Sequence, residues 1–211
     1  MAHPDKPCIY VLAGTNGAGK SSIAGSAFRE QGSAYFNPDE AARRIRTNNP
    51  KLTQTEANSA AWHQGRRLLE RAIKERLHFS FETTLGGDSI TQLLEHALEQ
   101  GMEVRVWYAG LDSPEKHIAR VQARVKRGGH DIPETAIRRR FDQSRLNLIR
   151  LLPKLTELRV YDNSNEADPH SGKTPSPKLV LHTLNGKWVG PKRLANTPDW
   201  AKPIVAAAIQ R

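Results

Sequence analysis

An α/β fold is predicted by this sequence: a parallel five-stranded sheet with helices on both faces, and three observations point to it. Cys8–Ala13 is a continuous apolar run that ends on a glycine-rich loop. Short apolar runs then alternate with longer stretches whose apolar residues recur at helical spacing. The alternation ceases near residue 162, where polar residues and prolines take over. Strands joined by helices are buried on both faces, so they read as unbroken apolar runs rather than as alternating ones.

The elements follow in order. Cys8–Ala13 is the first strand, Gly14–Ser21 a loop, and Ser22 to about Arg29 a helix. Ala34–Phe36 is a short strand closed by Asn37-Pro38. Glu40–Arg46 and Thr55–Arg76 are helical, the latter with Ala61, Leu68, Leu69, Ala72 and Ile73 on one face. Phe79–Phe81 is the third strand, Ser89–Glu99 a helix stopped by Gly101, and Val104–Tyr108 the fourth strand. Ser113-Pro114 opens a helix, with serine as cap and proline in the first turn. That helix carries Ile118, Val121 and Val125 and stops at Gly128-Gly129. Pro133 begins another, with Ile137, Phe141 and Leu148, ending near Pro153. Leu158–Tyr161 is the fifth strand. Beyond it come a polar loop, a hairpin turning on Asn185-Gly186, and a closing helix over Trp200–Gln210. Residues 1–161 thus read as the core, with a helical lid at about 114–152. Residues 162–211 read as an appendage packed on that core.

Composition narrows the function. Thirty-two Lys and Arg stand against 22 Asp and Glu, a net charge of +10, which favours acidic ligands such as nucleotides, phosphorylated metabolites, nucleic acid or an acidic protein. A single cysteine, Cys8, excludes an internal disulfide framework or a cysteine-cluster metal site. The apolar run at Cys8–Ala13 is too short for a signal-peptide core or a membrane span, so a cytoplasmic protein is expected.

The segment Gly14-Thr15-Asn16-Gly17-Ala18-Gly19-Lys20-Ser21 matches the phosphate-loop pattern in full, between a buried strand and a helix. Glycines let successive backbone N–H groups converge on a phosphate without side-chain clash. The following helix presents its positive end to the anion. Lys20 is placed to reach the β- and γ-phosphates, and the Ser21 hydroxyl to ligate Mg²⁺. With Ser22, these residues are the candidate ATP site.

Transfer to a hydroxyl also needs a base and cations. Asp39, at the end of the second strand, is the candidate base, and is equally suited to cap the helix starting at Glu40. If the second strand lies beside the phosphate-loop strand, Asp39 faces the γ-phosphate. Glu82, Thr83 and Thr84 follow the third strand and would meet substrate at the same sheet edge. Residues 115–150 hold ten Lys or Arg against four Asp or Glu, split by Gly128-Gly129-His130. Two helices joined by a glycine turn studded with arginines suit a lid that closes on phosphates. Arg124 and Arg127 are the candidate catalytic cations, with Arg139 and Arg140 across the turn; consecutive helical residues face different ways, so not all can reach one phosphate.

With these residues in hand, the chain resembles a compact branch of the zeta-toxin family of kinases. The resemblance rests on Ala13–Ser22, Asn37-Pro-Asp-Glu40, Phe81-Glu-Thr-Thr-Leu85, Arg124–Glu134, Ile137–Phe141, Ser144, Asn147-Leu148 and Tyr161-Asp-Asn-Ser164. It implies ATP with Mg²⁺, transfer to a hydroxyl of a sugar nucleotide such as UDP-N-acetylglucosamine, and a separate antitoxin partner. It also implies Lys20 on the phosphates, Asp39 as base, Glu82 and Thr84 in the substrate pocket, and an arginine of the lid completing the site. The alternative reading is a kinase directed at nucleic acid or another nucleotide.

Overall fold

Seven strands hydrogen-bond in the order β2-β3-β1-β4-β5-β6-β7. They are β1 (Cys8–Ala13), β2 (Tyr35–Phe36), β3 (Phe79–Thr83), β4 (Glu103–Gly110), β5 (Glu157–Asp162), β6 (Lys178–Leu184) and β7 (Lys187–Gly190). The computed structural model describes residues 6–20, 23, 35–165 and 176–210. Ser21, Ser22, the helix expected from Ser22, and most of the expected polar loop after 162 lie outside them.

The first five strands in that order run parallel. The five-stranded expectation needs correcting to seven, because β6 pairs antiparallel with β5, Leu158 opposite Thr183, and β7 adds to β6. The hairpin turn has the geometry its sequence calls for: Asn185 at φ 48° and Gly186 at φ 73°, the two positive angles of a type I′ turn. The hairpin extends the sheet itself instead of resting on it. A second expectation also changes. β3 stands between β2 and β1, so the strand that leads to Asp39 is the sheet edge and not the neighbour of the phosphate-loop strand.

Among the described residues six α-helices accompany the strands: α1 (Pro38–Asn48), α2 (Gln54–Lys74), α3 (Asp88–Glu99), α4 (Pro114–Val125), α5 (Glu134–Leu151) and, after the last strand, α6 (Lys202–Ile209). Their starts are written in the sequence. Asn37 caps α1, its side chain accepting from Asp39 N and Glu40 N at 2.9 and 3.2 Å. Thr53 and Glu56 form a reciprocal capping box on α2. Ser113 caps α4, with Pro114 at the first helical position.

The main core joins β1, β3, β4 and β5 to α2, α3, α5 and α6. The closing segment contributes Trp200, Ile204, Val205 and Ala208, all buried. Trp200 lies against Gly110 so closely that a Cβ there would fall 2.2 Å from its ring. Its indole N–H donates to Asp162 at 3.1 Å. No helix among the described residues is long and apolar enough to cross a membrane.

Candidate active site

Parallel strands bring the carboxyl ends of β1, β2, β3 and β4 to one edge, and the order reverses about β1, where ligands settle in open α/β sheets. The phosphate loop leaves β1 there. Gly14, Gly17 and Gly19 adopt φ of 139°, 81° and 75°, which side chains resist. Space is denied as well. A Cβ on Gly14 would lie 2.3 Å from the Ala109 carbonyl of β4, one on Gly17 2.6 Å from the His117 carbonyl of α4, and one on Gly19 2.3 Å from the Asn163 amide. The glycines therefore let the loop nest against β4, α4 and the end of β5.

Three side chains hold the loop from behind. Asn163 donates to the Ala18 carbonyl at 2.9 Å. His117 is buried, with Nδ1 2.8 Å from the Asn16 carbonyl. A carbonyl only accepts, so Nδ1 carries the proton. Burial pushes the His117 pKa from 6.5 down to about 4, leaving a neutral donor at neutral pH. Arg140 donates to the Asn16 side-chain oxygen at 2.8 Å, and burial lowers its pKa from the ordinary value. Lys20 Nζ rests 3.1 Å from the Gly14 carbonyl, inside its own loop.

Beside the loop is a cavity of about 360 Å³. Asn16, Asp39, Glu82, Thr83, Thr84, His130 and Arg140 line its polar part; Phe36, Trp62, Phe81 and Ile90 line its apolar part. Glu82 is held by β2 and the cap: Tyr35 Oη donates to its Oε1, as does Asn37 Nδ2 at 3.0 Å. The turn after β3 is fixed by α5. Ser144 donates to the Thr84 carbonyl at 2.7 Å, and Asn147 to the Leu85 carbonyl at 2.9 Å. Leu85 takes φ 53°, and the two bonds hold that strained turn against the helix.

The segment expected as a lid comprises α4, α5 and residues 126–133 between them. Arg124 Nη1 lies 3.3 Å from Asp39 Oδ2, and His130 Nε2 lies 3.7 Å from Asp39 Oδ1. Arg124 Nη2 also donates to the His130 carbonyl at 3.2 Å. Burial lowers the His130 pKa, against the opposing pull of Asp39. The capping reading of Asp39 is corrected here: Asn37 is the cap, and the Asp39 carboxylate is turned to the lid. The lid arginines separate by direction. Arg124 faces Asp39 and Arg140 faces the loop, whereas Arg138 pairs with Glu115 at 2.6 Å. Arg139 is exposed, and Arg127 is exposed and lines an outer cleft.

Sequence reasoning passed over His117, Tyr35 and Asn163 as site residues. The first two carry no local signal. Asn163 lies within the Tyr161–Ser164 motif, which the family resemblance already marked.

A match to the Zeta toxin family spans residues 1–174. An uncharacterized protein of Haemophilus influenzae is 37% identical over 128 residues, covering 61% of this chain and 88% of that protein. Among solved structures, the AvrRxo1-ORF1:AvrRxo1-ORF2 complex with sulphate ions is similar with a TM-score of 0.67 at 15% identity, over 96% of this chain and 64% of that one. The same pair with ATP gives 0.66 at 14% identity, again over 64% of that chain. A structure from the PezAT chromosomal toxin-antitoxin system of Streptococcus pneumoniae gives 0.57 at 17% identity, over 77% of this chain and 70% of that one. This chain therefore spans a little under two thirds of the matched chain in these two AvrRxo1 complexes, and at these identities the likeness is one of fold. The family match runs from before β1 to beyond β5, over the phosphate loop, the cavity and the lid alike. The chain belongs to the zeta toxin family.

Proposed function

We propose that the chain is an ATP-dependent kinase that phosphorylates a hydroxyl of a sugar nucleotide resembling UDP-N-acetylglucosamine, and that it acts as the toxin of a toxin–antitoxin pair. One observation carries this reading: Asp39 lines the cavity beside the phosphate loop and meets a lid arginine on its other side. ATP would lie on residues 14–22, and the positive φ of Gly14, Gly17 and Gly19 is the backbone form that can turn successive N–H groups toward a phosphate. Mg²⁺, held by Ser21 and the phosphate oxygens, a donor set that suits a hard cation, would neutralise charge on the β- and γ-phosphates.

The chain's residues divide the remaining work. Glu82 and Thr84 would hold the acceptor in the cavity. Asp39 would take the proton of the acceptor hydroxyl as its oxygen bonds to the γ-phosphorus, and the bond from that phosphorus to the β,γ-bridging oxygen would break to release ADP. Lys20, Arg124 and Arg140 would meet the charge that develops on the oxygens. An antitoxin would be a separate chain that prevents this.

Incubation with Mg-ATP and a panel of sugar nucleotides, other nucleotides and oligonucleotides tests the proposal. A mass gain of one phosphate on a sugar nucleotide, absent in Lys20→Ala, is expected, with growth arrest on expression of the wild type and none with the variant. Phosphate appearing only on an oligonucleotide, or no consumption of ATP, would refute it.

A further inference from the structure

A second opening, of about 900 Å³, lies between α1 and the tip of the lid. Four arginines line it: Arg43 and Arg46, three residues apart on α1, and Arg124 and Arg127, three apart at the end of α4 and just beyond. Among the described residues the only carboxylate in its lining is Asp39. No residue of the phosphate loop from 14 to 20 takes part.

Many arginines elsewhere are neutralised, although among the described residues Arg76 and Arg120 meet only backbone carbonyls; what sets the cleft apart is four arginines in one opening. Arg66, Arg71, Arg105, Arg138, Arg145, Arg150 and Arg159 each pair with a glutamate or aspartate. In the cleft, Arg46 has the neutral Gln54 as its partner at 2.8 Å, Arg127 a backbone carbonyl, and Arg43 no acidic partner among the described residues. Arg124 shares Asp39 with His130, and its Nε is buried without an acceptor. Guanidinium groups gathered from two facing helices, with unused donors, form a receptor for phosphate oxygens, which they meet in pairs.

Asp39 and His130 border both this cleft and the cavity of the candidate active site. We propose that the cleft is a diphosphate subsite for the acceptor, so that the acceptor's uncharged part lies in the cavity, its reacting hydroxyl at Asp39, and its own phosphates among Arg43, Arg46 and Arg127. This rests on the acceptor reading above and adds to it where the anion sits and which residues select it.

The test uses full-length protein and inorganic pyrophosphate as the probe, titrated by calorimetry with the phosphate loop saturated by a non-hydrolysable Mg-ATP analogue and, separately, without nucleotide. Arg43→Ala/Arg46→Ala is expected to weaken pyrophosphate binding about tenfold or more, on the scale of one charge-assisted hydrogen bond per arginine. Affinity for the ATP analogue and the melting temperature should stay near wild type. Arg43→Lys/Arg46→Lys should recover part of the binding, which a folding defect would not allow. Equal pyrophosphate affinity in wild type and the alanine variant, or none in the wild type, overturns the proposal. A single-stranded oligonucleotide that outcompetes pyrophosphate and depends on the same arginines overturns it in favour of nucleic acid. Failure of the ATP analogue to bind would count against the kinase reading alone, since the titration without nucleotide still decides the cleft.

Discussion

The Arg124 guanidinium stands 3.3 Å from the Asp39 carboxylate and so ties the lid to the first turn of α1. Both groups are partly exposed, at 36% and 46% of their side-chain surface, so the pair adds little to stability. Its meaning is positional. On the proposed function, the arginine that would meet the transferring phosphoryl group and the carboxylate that would take the hydroxyl proton are already paired.

Asp39→Asn therefore separates chemistry from structure. Asn37 keeps its cap on α1, so melting should shift by no more than about 1 kcal/mol, and ATP affinity should change little. Transfer should fall by roughly 10²–10⁴-fold, the usual contribution of a positioned base. Normal turnover in this variant would remove Asp39 from the base role and leave Glu82 as the next candidate.

Gly129→Ala should act on the same pair from a distance. The added Cβ would lie 2.6 Å from Arg124 Cγ and 3.0 Å from its carbonyl oxygen, which drives the arginine out of its present rotamer. We expect transfer to drop about tenfold with ATP affinity at the loop preserved. Full activity would mean that Arg124 reaches phosphate from more than one rotamer, and the lid geometry would lose its significance.

Asn163→Ala leaves the buried Ala18 carbonyl without its donor, a cost of about 1–3 kcal/mol. Because that carbonyl belongs to the phosphate loop, the loss should appear chiefly as a raised KM for ATP, with kcat less affected. A variant that melts lower yet keeps its KM would place Asn163 in folding alone.

His117 predicts an acid limit. Its folded pKa of about 4 lies below the ordinary 6.5, so the unfolded chain binds the proton more readily. The stability it contributes is whole above pH 6.5 and drains away as pH falls toward 4, by roughly 3 kcal/mol at most. The slope of unfolding free energy against pH across this window should flatten in His117→Gln. An unchanged slope would assign the acid sensitivity to other groups.

The parallel core and the phosphate loop were legible because their signals are local. An apolar run before glycines, serine before proline at a helix start, and Asn-Gly between two strands each fix a few dihedral angles. The cap was less legible: on composition Asp39 competes for it, and the structure gives it to Asn37. What stayed hidden depends on distant pairing. Arg124 and Arg127 are equivalent on a helix until α1 shows which side Asp39 occupies. The partners His117 and Asn16 stand 101 residues apart. Nothing in Leu179–Leu184 says that this strand will choose β5 and turn a five-stranded sheet into seven.

The contact between Trp200 and Gly110 has a practical side. Gly110 follows Ala109, the residue whose carbonyl sits against Gly14 of the phosphate loop, so the indole braces the strand that the loop leans on. A protease clip or deletion ahead of Trp200 would then weaken nucleotide affinity without touching a single ligand-facing residue. Loss of ATP binding in a shortened preparation would thus report a missing buttress at the far end of the chain, and protein samples should be checked for an intact C-terminal segment before any inactivity is blamed on the catalytic machinery.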